Sequence, residues 1–118
     1  MKAFVRNLTY VSTFLVSLTA AAATEPVVLD VRTPEEYEQS HVKGAVNIDV
    51  NGASFQREVQ KLDKSADYVV YCRSGKRSAQ AIKEMKDVGF TSVKNLGSAK
   101  DASDTLKKEC EGKSKKCL

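Results

Sequence analysis

From Glu25 onward, short apolar runs alternate with stretches whose apolar residues recur at helical spacing, the pattern of a parallel sheet flanked by helices. Val27-Val28-Leu29 reads as a first strand. Thr33-Pro34-Glu35-Glu36 opens a helix, with Thr33 as N-cap, Pro34 at the first helical position and Glu36 completing a capping box. Ala45-Val46-Asn47-Ile48 is a short second strand. Phe55, Val59 and Leu62 share one face of a predicted helix over 53–62, and Tyr68-Val69-Val70-Tyr71 is the most strand-like run in the chain. A helix over 78–88 follows, with Ala81, Ile82 and Met85 on one stripe and Gly89 as its stop. A further strand over 92–96 and a polar helix over 102–109 complete the order.

The amino end departs from this pattern. Lys2 and Arg6 are followed by an uncharged apolar segment ending in Thr19-Ala20-Ala21-Ala22-Ala23-Thr24, a basic start, apolar middle and small-residue cleavage site. We read residues 1–23 as a secretory signal peptide, 24–109 as the domain and 110–118 as a Lys-rich tail. An uncleaved anchor is the competing reading, since the segment approaches bilayer-spanning length. Thr9, Ser12, Thr13, Ser17 and Thr19 dilute it, and the alanine run suits cleavage. The expectation is therefore a periplasmic or secreted protein with no stable membrane anchor after processing.

The chain is one domain long, at 118 residues, and its net charge is only +4. Neither a basic stripe with stacking aromatics nor a nucleic-acid motif is present, which sets nucleic acid aside. His41 is the single histidine and cannot form half of a metal pair; no metal and no organic cofactor are expected.

Export changes how the three cysteines read, because thiols outside the cytosol tend to pair. Cys110 and Cys117 bracket a short tail and read as a terminal staple, with a metal clip or a resolving thiol as alternatives. Cys72 is then the free thiol. It opens Cys72-Arg73-Ser74-Gly75-Lys76-Arg77-Ser78, a polar loop between a buried strand and a helix. Ligands of open α/β sheets bind at such strand ends, and the amides at a helix start carry partial positive charge. Arg73, Lys76 and Arg77 add full charges, so the loop is an anion cradle with a sulfur at its mouth. Those charges lower the thiol's pKa toward the nucleophilic thiolate. An inert buried cysteine is the bland alternative.

Leu29-Asp30-Val31-Arg32, Pro34-Glu35-Glu36-Tyr37, His41 to Ile48 and Val70 to Ser78 together resemble the ordered signatures of a rhodanese domain, over nearly all of the chain from Val27 to about Leu106. With the export segment and small size, the sequence is similar to exported single-domain rhodaneses. The resemblance implies a single α/β domain with a five-stranded parallel sheet. It also implies a monomeric thiosulfate sulfurtransferase working through a Cys72 persulfide, with thiosulfate or another sulfane-sulfur donor and a thiophilic acceptor such as cyanide, a thiol or a protein. Carried over, Arg73, Ser74, Gly75, Lys76 and Arg77 form the substrate-binding loop, its amides around the persulfide and its cationic side chains on the anion. Asp30 and Arg32 are structural, tying the first strand to its neighbouring loops, Glu36 is structural through its cap, and His41 is a packing or turn residue.

The sequence departs from the family where a Gly-Gly pair and a Trp often follow the catalytic helix. Here Gly97 is followed by Ser98, and no Trp exists. Phosphatases and arsenate reductases share the fold, but a tetrahedral phosphate needs a roomier cradle, with one more residue between Cys and Arg than separates Cys72 from Arg77. A persulfide carrier without independent turnover is the non-enzymatic reading, and a thiol–disulfide protein lacks the C-x-x-C it would need.

Overall fold

The structure is a computed structural model and describes residues 25–118. The signal segment expected over 1–23 lies outside the described residues. Ten elements follow in order: β1 (Val27–Asp30), α1 (Pro34–Gln39), β2 (His41–Val42), β3 (Val46–Asn47), α2 (Phe55–Gln60), β4 (Tyr68–Cys72), α3 (Lys76–Asp87), β5 (Val93–Ser98), α4 (Ala99–Leu106) and β6 (Cys110–Glu111).

The main sheet has the order β3-β1-β4-β5 and every pairing is parallel. It has four strands, which corrects the expected five. The remaining extended pieces, β2 and β6, form a separate antiparallel pair, His41 against Glu111 and Val42 against Cys110. Only three residues, Ser40, His41 and Val42, separate the end of α1 from the turn at Lys43–Gly44. The Val42 amide is taken by the Tyr71 hydroxyl at 2.9 Å, so β2 lies over the sheet rather than extending its edge.

β4 is central and fully buried, with Tyr68, Val70 and Cys72 in one apolar cluster and Val69 and Tyr71 in the other. A parallel strand covered on both faces reads as a continuous apolar run, and successive side chains point to opposite sides. Phe55 and Val59 of α2 with Ala81 and Met85 of α3 cover the first face. Ala99 and Ala102 of α4, Val42 and Cys110 cover the second.

The helix boundaries follow their caps. Thr33 accepts from the Glu36 amide and Glu36 reaches back to the Thr33 amide, the reciprocal capping box. Ser98 and Asp101 repeat that arrangement, starting α4 at Ala99, three residues earlier than expected from the sequence; Lys107 ends it in the left-handed region at φ +57. α3 likewise begins at Lys76 rather than Ser78, because Gly75 supplies a left-handed N-cap.

The tail folds back on the domain. Lys113 and Ser114 amides donate to the carbonyls of Glu38 and Gln39, and a Cys110–Cys117 disulfide closes the segment. Gly112, at φ +130, passes so close to α1 that a Cβ there would come within 2.8 Å of the Glu38 carbonyl.

Candidate active site

Cys72 ends β4 with no solvent exposure, and the chain turns at once through Arg73 and Ser74 to Gly75. Gly75 sits at φ +97, a conformation that favours glycine, and a Cβ added there would stand 3.5 Å from the Gly97 Cα. This turn aims the backbone back at the sulfur. The Gly75 amide donates to Cys72 Sγ at 2.9 Å and the Ser78 amide at 3.4 Å. No side chain caps α3 among the described residues, so its opening amides serve the sulfur instead.

Burial by itself pushes the Cys72 thiol up. The Ser78 hydroxyl and amide, with the Ser74 and Gly75 amides, outweigh that and bring the net direction below the ordinary cysteine value. The arrangement is that of a stabilised thiolate.

The three cations of the loop are not equivalent. Arg77 is largely covered and donates to both Glu36 carboxylate oxygens, at 2.7 and 3.0 Å. Arg73 is two-thirds exposed and 3.8 Å from the same carboxylate. Lys76 is exposed and makes no ion pair among the described residues. Glu36 therefore belongs to the site as well as to its cap; the hydrogen bond from Arg77 is the main cause that holds its carboxyl down at about 2. The capping box was legible in the sequence, but this contact across 41 residues was not.

Sequence reasoning also passed over Asn95. Its amide nitrogen donates to the Gly75 carbonyl at 3.0 Å, and its oxygen accepts from the Gly97 amide at 2.9 Å. The register between β4 and β5 shifts there, Val70 facing Asn95 but Tyr71 facing Gly97. Asn95 thus ties the bulged end of β5 to the loop carrying the sulfur. Between them lies an open cleft of about 540 Å³ lined by Ser74, Lys76, Ala79, Asn95, Leu96 and Gly97.

Asp30 and Arg32 lie behind the site. Both are buried; Arg32 pairs with the Asp30 carboxylate at 2.7 Å, caps the Ser40 carbonyl, and reaches the Leu118 carbonyl at 3.0 Å. Its guanidinium also stands 5.5 Å from the centre of the Tyr71 ring. His41 stacks on Tyr37 at 3.7 Å, remote from the loop in its contacts.

A parallel α/β sheet whose central strand ends in a buried free cysteine, inside a cradle of loop amides, defines a domain built around one nucleophilic sulfur. The chain belongs to the family described as Rhodanese-like domain, whose model matches residues 16–101. It is 40% identical over 73 residues to the thiosulfate sulfurtransferase PspE of Escherichia coli, covering 62% of this chain and 70% of that protein. It is 40% identical over 78 residues to thiosulfate sulfurtransferase 16, chloroplastic, of Arabidopsis thaliana, covering 58% of this chain and 65% of that one. Among solved structures it is similar to a rhodanese with anions from E. coli, with a TM-score of 0.57 and 38% identity over 65% of this chain and 91% of the other. The family is that of rhodanese-like sulfurtransferases.

Proposed function

We propose that this protein is an exported thiosulfate sulfurtransferase in which Cys72 carries the transferred sulfur as a persulfide. The observation that carries the reading is the convergence of the Gly75 and Ser78 amides on the buried Cys72 sulfur. In the loading step the Cys72 thiolate attacks the sulfane sulfur of thiosulfate. The bond between the two thiosulfate sulfurs breaks, and sulfite leaves with its electron pair. In the discharge step a thiophilic acceptor attacks the outer sulfur of the persulfide, and the pair returns to Cys72 Sγ. No net oxidant or reductant enters.

Arg73, Lys76 and the loop amides attract and orient the dianion, and Arg77 acts through its pair with Glu36. Two relatives bear the name thiosulfate sulfurtransferase, and the E. coli rhodanese was solved with anions, which supports this donor class. Export is proposed from the basic, apolar and small-residue order of residues 1–23, and the Cys110–Cys117 disulfide suits an oxidising compartment. Among the described residues no helix is long and apolar enough to cross a membrane.

The test is the intact mass of the processed protein after thiosulfate, with and without cyanide. Gain of one sulfur atom that cyanide removes catalytically, and that Cys72→Ser lacks, is the expected result. A gain that cyanide leaves in place indicates a carrier, and no gain overturns the donor assignment.

A further inference from the structure

Ser78 is fully buried on the first turn of α3, and its hydroxyl is the one buried side-chain polar atom without a hydrogen-bond partner among the described residues. A helical serine ordinarily bonds back to the carbonyl one turn earlier. Ser78 does not. The backbone amide of the same residue donates to Cys72 Sγ at 3.4 Å, which places Ser78 beside the sulfur, yet in the resting geometry its hydroxyl completes no hydrogen bond. Leaving a buried hydroxyl unpaired is unfavourable, so its retention needs a partner that forms during the reaction.

The sulfur itself is that partner. Loading begins with charge on Cys72 Sγ and moves it away, whereas discharge breaks the bond between the outer sulfur and Sγ and delivers the electron pair to Sγ. A hydrogen bond donated to Sγ therefore assists the two half-reactions unequally. It weakens the thiolate as an attacking group but improves it as a leaving group, because a thiol of lower pKa leaves faster and attacks more slowly. We infer that Ser78 is a catalytic residue for persulfide discharge, its hydroxyl donating to Cys72 Sγ as that sulfur departs from the transferred one. This rests on the persulfide mechanism proposed above and adds a division of labour: the loop amides serve both steps, and the Ser78 hydroxyl serves mainly the second.

The charged groups facing the sulfur are Arg77 from the same helix and, behind it, Glu36 from α1. Substituting Ser78 leaves both in place, so a change in sulfur chemistry is attributable to the hydroxyl. The experiment compares wild type, Ser78→Ala and Ser78→Thr in single turnover, timing sulfur gain from thiosulfate and sulfur loss to cyanide separately by intact mass.

The expected result for Ser78→Ala, at a pH where Cys72 is ionised, is loading unchanged or slightly faster and discharge slowed about three- to tenfold, the loss of one charge-assisted hydrogen bond partly expressed at a leaving group. Ser78→Thr, which keeps the hydroxyl, restores the ratio of discharge to loading whatever it does to either rate alone. Equal slowing of both steps, or an unchanged ratio, overturns the proposal. In parallel, the pH midpoint for alkylation of Cys72 must rise in Ser78→Ala; an unmoved midpoint also overturns it. If wild type takes no sulfur from thiosulfate, the proposed function has failed and the alkylation midpoint alone decides the role of Ser78.

Discussion

Glu36 on the first helix grips Arg77 on the third through two hydrogen bonds of 2.7 and 3.0 Å, fastening α1 to the loop that holds the sulfur. A bidentate carboxylate–guanidinium pair in partial burial is stronger and better oriented than a surface ion pair.

Its removal by Glu36→Gln is expected to destabilise the fold by about 1–3 kcal/mol at neutral pH, allowing for the quarter of each side chain that remains exposed. The pH dependence follows from the same contact. The folded carboxyl titrates at about 2 instead of the ordinary 4.5, so the unfolded chain binds the proton more readily. The contribution is present in full above about pH 4.5 and is lost as the pH falls through 2. Urea unfolding of wild type and variant across that window should show the two stabilities converging in acid. Parallel curves would exclude the link.

Asp30 and Arg32 form the other charged pair at the heart of the domain, both essentially without exposure. A buried pair is weak evidence for net stability, but breaking it leaves one charge stranded. Arg32→Met is expected to lower stability by about 3–5 kcal/mol. It also frees the Ser40 carbonyl, which Arg32 now satisfies. Asp30→Asn together with Arg32→Met should recover part of the loss, since the stranded carboxylate is gone. Thermal unfolding of the three variants measures the difference, and additive losses in the double variant would show that the pair does not act as one unit.

The fold was legible where local signals and burial agree. Thr33-Pro34-Glu35-Glu36 marks a helix start by its own chemistry, and Tyr68 to Tyr71 is apolar at every position because both faces are covered. The cradle was legible as a loop with one glycine, one cysteine and three cations between a strand and a helix. What that spacing does not encode is which partner each side chain meets. Arg77 reads as an anion ligand until α1 folds beside it and presents Glu36. Asn95 reads as an ordinary strand residue until the β5 bulge turns it onto Gly75. The expected count of five strands came from the family resemblance; the apolar pattern itself marks four runs, and those four make the main sheet, while His41–Val42 pairs with β6.

The tail makes a prediction separable from the chemistry. Its disulfide closes a short loop between residues seven apart, for which the chain-entropy estimate is about 2 kcal/mol. Cys117→Ser should therefore loosen residues 110–118 while leaving sulfur transfer largely intact, because the disulfide does not touch the cradle. Gly112→Ala should act on the same segment by a different route, through its positive φ and the approach of its new Cβ to the Glu38 carbonyl. Hydrogen exchange at the Lys113 and Ser114 amides, which donate to α1, is the direct readout. Loss of turnover in Cys117→Ser with a stable core would show that the tail takes part in catalysis.

The loop cations divide the same way. Lys76 is exposed beside the cleft with its charge uncommitted among the described residues, whereas Arg77 is neutralised by Glu36. Lys76→Ala is accordingly expected to raise KM for thiosulfate several-fold, with little change in stability and a reduced dependence on ionic strength, the behaviour of a surface charge that steers an anion. Arg77→Ala should act differently. It strands the Glu36 carboxylate next to the cradle, so stability and sulfur loading fall together. Adding Glu36→Gln to Arg77→Ala removes that stranded charge. If Arg77 serves mainly by neutralising Glu36, the double variant recovers much of the loading rate lost in the single one. If its guanidinium binds the dianion directly, the rate stays low whatever occupies position 36. Steady-state kinetics of the two single variants and the double variant, at low and high salt, separate these outcomes.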